Sequence, residues 1–137
     1  MEVLNVLQNR LKKIIIAKKL KERKMKEIKA IIRQFKLDNV ITELHKIEGL
    51  PGITISEIKG FGKGKGKDAE VTVSEGLHQL VPKVKIEIVV HNDLVDEIVN
   101  TIQRTAHTGN PGDGKIFVTN LENVVKIRTN ERGEEAI

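Results

Sequence analysis

Residues 25–47 read MKEIKAIIRQFKLDNVITELHKI, and the change of period inside this run sets the fold. Ile28, Ala30 and Ile32 alternate with Lys29, Ile31 and Arg33, which is the two-residue repeat of a strand, here expected to end near Phe35. From Leu37 the repeat changes. Leu37, Val40, Ile41, Leu44 and Ile47 recur every three or four residues, as on one face of a helix, and Asp38 in the first turn suits the helix dipole. Gly49-Leu50-Pro51-Gly52 stops the helix and turns the chain.

Outward from this unit the pattern repeats. Ile53, Ile55 and the residues to Phe61 read as a second strand. Val84, Ile86, Ile88 and Val90 mark a third. Asn92 is placed to cap a second helix carrying Leu94, Val95, Ile98, Val99 and Ile102. Thr108-Gly109-Asn110-Pro111-Gly112-Asp113-Gly114 is a dense turn signal, followed by a short strand at Ile116-Phe117-Val118. Val124, Val125 and Ile127 suggest one more short strand before the polar tail. The order is strand, helix, strand, strand, helix, strand. That is an α+β, ferredoxin-like βαββαβ arrangement with both helices on one face of an antiparallel sheet. Hydrophobic residues read on both sides of the first and third strands predict that the other face is apolar and is buried by oligomerisation.

Two segments stand outside this pattern. Lys63 to Val81 form a long loop between the second and third strands, opening with Gly and Lys in alternation; such loops in compact domains are usually functional or disordered. Residues 1–24 form an N-terminal helical extension, with Leu4, Leu7, Leu11 and Ile14 at helical spacing and Lys12, Lys13, Lys18, Lys19, Lys21, Arg23 and Lys24 crowding its second half. It reads as an amphipathic anchor for an anionic membrane or a partner groove, as a plain surface helix or oligomer contact, or as residues ahead of a start at Met25. The expected division is therefore 1–24 as a basic amphipathic extension and 25–137 as the domain.

Composition narrows the function classes. The net charge of +5 is unevenly spread: residues 1–24 hold eight Lys and Arg against two acids, +6, leaving −1 for 25–137. The domain thus lacks the overall charge of a nucleic-acid binder, and with three Phe and no Trp or Tyr it has few rings on which to stack bases. The absence of cysteine excludes disulfides and thiolate metal sites and fits a cytoplasmic location. No apolar run is long enough to span a bilayer. His45, His78, His91 and His107 are scattered, with no HxxxH or HxH spacing, so no metal site is expected. There is no nucleophile elbow, kinase motif or Walker-type loop, and the chain reads as a non-enzyme.

Gly112, Asp113 and Gly114 run directly into Lys115. Glycines allow backbone N–H groups to approach phosphate oxygens, and a following lysine adds charge. Lys126 and Arg128 alternate along the expected last strand and would project to one side. Turns of this kind are more often only turns, so spacing by itself leaves a phosphate role open.

Several runs resemble one family. Lys26-Glu27-Ile28-Lys29-Ala30-Ile31-Ile32-Arg33 with Phe35-Lys36-Leu37-Asp38 resembles the opening of the PII nitrogen-regulatory signal-transduction proteins. Glu57-Ile58-Lys59-Gly60-Phe61-Gly62 resembles the strand entering their effector loop, and Pro82-Lys83-Val84-Lys85-Ile86-Glu87-Ile88-Val89-Val90 resembles its exit. Thr108 to Val118 resembles the family signature, and Ile127-Arg128-Thr129 with Glu131 to Ile137 the C-terminal end. The extension lies outside the resemblance.

The resemblance implies a homotrimer that binds ATP or ADP in clefts between subunits and controls a transporter or metabolic enzyme of nitrogen metabolism through the loop Lys63 to Val81. It also implies recruitment to the membrane through such a partner. Ile31, Thr54, Gly60, Glu87 and Val89 fall at adenine and ribose positions. Gly112, Gly114, Lys115, Lys126 and Arg128 fall at phosphate positions, with Asp113 in the same turn and Gly62 and Lys63 at the loop base. Lys63 and Lys126 stand where relatives carry Arg, which keeps the charge but loses the guanidinium fork. Gly64 replaces the Gln that ligates Mg²⁺ in members that sense 2-oxoglutarate, which argues against that sensing, while Lys83 keeps the position that pairs with the keto acid's distal carboxylate. Gly76 stands where relatives carry the uridylylated Tyr, and Ser74 matches a position phosphorylated in some of them. A divergent paralogue serving a metal or anion transport system, or a structural or metal-tolerance trimer with no nucleotide switch, are the competing readings.

Overall fold

A computed structural model describes residues 1–21, 24–62 and 80–137. The loop residues Lys63, Gly64, Ser74 and Gly76, with His78, lie outside the described residues. The described chain begins with helix α1 (Glu2–Lys21). It continues as β1 (Met25–Ile32), α2 (Leu37–Leu44), β2 (Ile53–Gly60), β3 (Val81–His91), α3 (Val95–Ala106) and β4 (Gly114–Asn120). Short 3-10 turns lie at Gln34–Lys36, Asn92–Leu94 and Gly133–Ala136. The sheet is antiparallel in the order β2-β3-β1-β4. This is the expected ferredoxin-like arrangement.

The alternation in β1 and β3 decides which face is covered. Ile28, Ala30 and Ile32 from β1, and Val84, Ile86, Ile88 and Val90 from β3, are buried against α2 and α3. Val40 and Leu44 on α2, and Ile98 and Ile102 on α3, are fully buried from the other side. A core of branched aliphatics and alanine is what a chain so poor in aromatics can build, and it packs the helices onto one face of the sheet.

The structure departs from the sequence expectations in four places. First, β1 ends at Ile32, and Phe35 lies in a 3-10 turn, 68% exposed, with the Lys36 ammonium 5.9 Å from its ring centre. Second, Asn92 opens a 3-10 turn and makes no side-chain cap; its N–H donates to the Lys24 carbonyl at 2.7 Å. Third, Val124, Val125 and Ile127 form no strand. Only an isolated bridge joins Val125 to Arg132, because the chain doubles back between Lys126 and Glu131 with Asn130 at φ 61°. Fourth, the sheet face away from the helices is not apolar. Glu27, Lys29, Lys83, Lys85, Glu87 and Lys115 share it with Ile31, Ile58, Val89 and Phe117, and Lys85 pairs with Glu87 at 3.2 Å. The expectation counts the hydrophobic residues of both strands without assigning them to sides; of the eleven, Met25 included, seven sit on the helix side.

Candidate nucleotide site

The turn from Thr108 to Gly114 joins α3 to β4, and it is built around one carboxylate. Asp113 Oδ2 accepts the N–H groups of Thr108 at 2.8 Å and Gly109 at 2.9 Å. Its Oδ1 accepts the Thr108 hydroxyl and Nε of Arg33, the latter at 3.1 Å. Burial opposes ionisation of this group, but the Thr108 hydroxyl and N–H, the Gly109 N–H and Arg33 together hold its pKa far below the ordinary 3.8. Arg33 comes from the end of β1 and is itself buried; its Nη2 also donates to the Pro111 carbonyl at 2.6 Å. From β3, the Lys83 ammonium donates to the Gly112 carbonyl at 2.5 Å. Three elements thus converge on one short turn.

Gly109, Gly112 and Gly114 within it all have positive φ, at 87°, 96° and 103°. Gly114 is also sterically required: a Cβ there would lie 1.7 Å from the Ile31 carbonyl oxygen. Its missing side chain lets β4 close onto β1, where Gly114 registers with Ile32 and Lys115 with Ile31. Lys115 therefore leaves the turn on a fixed strand, exposed and beside Ile31.

The sequence-predicted site residues are brought together in two groups. Ile31, Asp113, Gly114 and Lys115 line a cavity of about 310 Å³ under the end of α3, with Ile102 and His107. Thr54, Glu87 and Val89 line a second, open one of about 350 Å³, together with Glu27 and with Ala136 and Ile137 near the end of the chain. Gly112 adjoins the first group through Arg33 and Lys83. Gly60 pairs with Val81 at the end of β2, and Gly62 has open space around it. Lys126 and Arg128 belong to neither cavity. They sit on the turn after β4, in which the Lys126 N–H donates to the Glu131 carbonyl at 2.9 Å. Among the described residues the side chains of Lys115, Lys126 and Arg128 have no hydrogen-bond or ion-pair partner.

Two residues that sequence reasoning passed over prove central. Arg33 was read only as a polar alternation partner of the first strand; the signal was an arginine ending an apolar strand, which needs an acid once buried. Thr108 supplies two of the four bonds to Asp113, and the signal was a threonine five residues ahead of an acid across the Gly109-Asn110-Pro111-Gly112 turn.

Residues 25–131 match the family model described as nitrogen regulatory protein P-II. The chain is 51% identical over 113 residues to the nitrogen regulatory protein P-II of Azospirillum brasilense, covering 82% of this chain and 100% of that protein. It is 50% identical over the same length to nitrogen regulatory protein P-II 1 of Escherichia coli, again with 82% and 100% covered. Among solved structures, Arabidopsis thaliana PII bound to citrate matches with a TM-score of 0.67 and 41% identity over 83% of this chain and 92% of that one. The B. subtilis GlnK-ATP complex matches with a TM-score of 0.66 and 33% identity over 84% and 99%. The chain belongs to the P-II nitrogen regulatory protein family, whose members are signal-transduction regulators rather than enzymes.

Proposed function

We propose that this protein is a P-II regulator that binds ATP or ADP in a cleft completed between copies of a homotrimer, and that it transmits occupancy through the loop Lys63 to Val81 to a transporter or metabolic enzyme of nitrogen metabolism. The observation that carries this reading is the turn at 108–114, held rigid by Arg33 and Asp113 while Lys115 emerges from it without a partner. A cation and positive-φ glycines in a fixed frame form a phosphate seat needing little reorganisation. The solved complex of a relative with ATP supports it.

The split of the site residues supports a shared cleft. Lys126 and Arg128 project from a turn that joins neither cavity within one chain, so a second copy would have to bring its own turn, or receive this one, to complete a triphosphate site. In this reading Ile31, Thr54, Gly60, Glu87 and Val89 take the base and ribose, and Gly62 and Lys63 serve at the loop base. Gly112, Gly114, Lys115, Lys126 and Arg128 take the phosphates, and Asp113 acts through the turn it organises rather than on the ligand. Lys83 already donates to Gly112; an ammonium has three donors, so a keto-acid carboxylate would share it rather than claim it. Residues 25–137 form the regulatory unit, with 1–24 as a separate extension.

Calorimetry with ATP and ADP, alongside the mass in solution, tests this. Loss of a charge-assisted phosphate contact costs about 1.5–3 kcal/mol, so Arg128→Ala and Lys115→Ala should each weaken ATP by roughly tenfold or more. Unchanged affinity in both variants, or a stable monomer that binds ATP, would overturn the assignment.

A further inference from the structure

Helix α1 lies outside the family match, and no side chain from Met1 to Lys18 is buried. Val3, Leu4, Leu7, Leu11, Ile14 and Ile15 are all at least half exposed. At about 100° per residue they fall in a single stripe roughly 120° wide. No charged residue between Glu2 and Ala17 interrupts that stripe, which Lys18 on the same line then ends. The rest of the circumference carries Asn5, Asn9, Lys12 and Lys13, with Gln8 and Arg10 at its margins, broken only by Val6, Ile16 and Ala17. The charge is one-sided in sign as well: Glu2 is the sole acid of the helix, and residues 1–24 carry +6.

We propose that α1 is a membrane-surface helix that seats its aliphatic stripe in the interface of an anionic bilayer while its lysines meet the lipid head groups. Charge complementarity selects this occupant. In a coiled coil with a second copy, Leu4, Leu7, Leu11 and Ile14 would form the seam, but Lys18 follows on the same seam. Only Arg10 flanks that seam; Lys12 and Lys13 stay on the outer face, where a second copy of the helix brings no acid beyond Glu2 to meet them. Self-association would therefore put Lys18 in the seam and leave the basic face without a countercharge. A nucleic acid would neutralise those charges but leave the stripe in water. An anionic membrane satisfies both features at once. The helix lies on the bilayer rather than through it, since no helix among the described residues is long and apolar enough to cross. The strongly basic end, Lys18 to Lys24, adjoins Met25 at the start of β1, so a seated helix would hold the folded unit close to the head groups. The inference is independent of the nucleotide reading.

The test is flotation of the full chain with vesicles of phosphatidylcholine alone and of phosphatidylcholine with about one-third phosphatidylglycerol, at low and high salt. The bound fraction should be at least tenfold higher on the anionic vesicles and should fall steeply by about 0.5 M salt, where surface charge is screened. Leu7→Asp with Leu11→Asp should abolish it, and so should Lys12→Glu with Lys13→Glu, while both variants keep the parent's solution mass and strand signal. Three results would each overturn the proposal: no binding to anionic vesicles, equal binding to both kinds at both salts, or loss of solution mass in the leucine variant with vesicle binding intact. The last would identify a helix contact between copies, and the wild-type salt series decides even if a variant misfolds.

Discussion

Asp113→Asn changes one atom type in the carboxylate that organises the signature turn, and the geometry states what should follow. The carboxylate accepts four hydrogen bonds, two on each oxygen, from Thr108, Gly109 and Arg33. An asparagine has a single oxygen. If it faces the Thr108 and Gly109 N–H groups, its NH₂ is directed at Arg33 Nε, donor against donor, and only the Thr108 hydroxyl can reverse to accept. If the amide flips, the two N–H groups lose their acceptor instead. Either way the Arg33 guanidinium, whose side chain is 8% exposed, loses its bond to the Asp113 carboxylate and keeps the Pro111 carbonyl. Loss of one charge-assisted bond costs about 1.5–3 kcal/mol. Urea denaturation followed by circular dichroism, with calorimetric ATP titration of the same samples, reads the consequence. The variant should unfold at lower urea and bind ATP more weakly, because the frame that aims Lys115 has loosened. A loss of ATP affinity with stability unchanged within about 0.5 kcal/mol would refute this account and make Asp113 a direct ligand contact.

Two further outcomes follow from the same turn. Gly114→Ala should be among the most damaging single substitutions outside the core: strain at positive φ costs about 1–3 kcal/mol, and the added Cβ meets the Ile31 backbone oxygen, which no rotamer change relieves, so thermal melts should show a large fall or no folded protein. Stability should also fall in acid. The Asp113 carboxyl has a pKa depressed by folding, so its contribution is complete above the unfolded value near 4 and is lost progressively as pH drops towards the folded value; urea midpoints between pH 6 and 3 should decline less in Asp113→Asn than in the parent.

The fold was legible because each element carried its own period. The switch from Ile28, Ala30, Ile32 to Leu37, Val40, Ile41, Leu44 is local information, and local information places strands and helices. What was not legible depended on partners far along the chain. Arg33 looks like a surface residue until Asp113, eighty positions later, is brought beside it. The supposed last strand had the right residues, but its ends are tied to each other: Asn123 Oδ1 accepts the N–H groups of Val124 and Gly133, and the peptide between them must turn. The site was legible in part. The turn and Lys115 carry a chemical signal in sequence, whereas the place of Lys126 and Arg128 relative to them does not follow from spacing within one chain.

The polar sheet face bears on why nucleotide and assembly would be coupled in the proposed trimer. Cross-strand register orders its charges in rows. Glu87 lies beside Lys29 and is paired with Lys85, so acids and bases in the middle of the face offset one another. Toward the signature turn the balance changes: Lys115 lies beside Ile31 with no hydrogen-bond or ion-pair partner among the described residues, while Lys85 on the other side of Ile31 is already held by Glu87. A second copy packed over that end would desolvate cations and, if it brought Lys126 and Arg128, would add more. Burying unpaired charge is costly. A bound polyphosphate supplies the missing countercharge, and anything that binds the assembled form better than the separate chains stabilises the assembly by that difference. Had the face been apolar, as first expected, copies would associate with or without ligand. In the proposed trimer a face short of anions at one end would make association answer to the ligand.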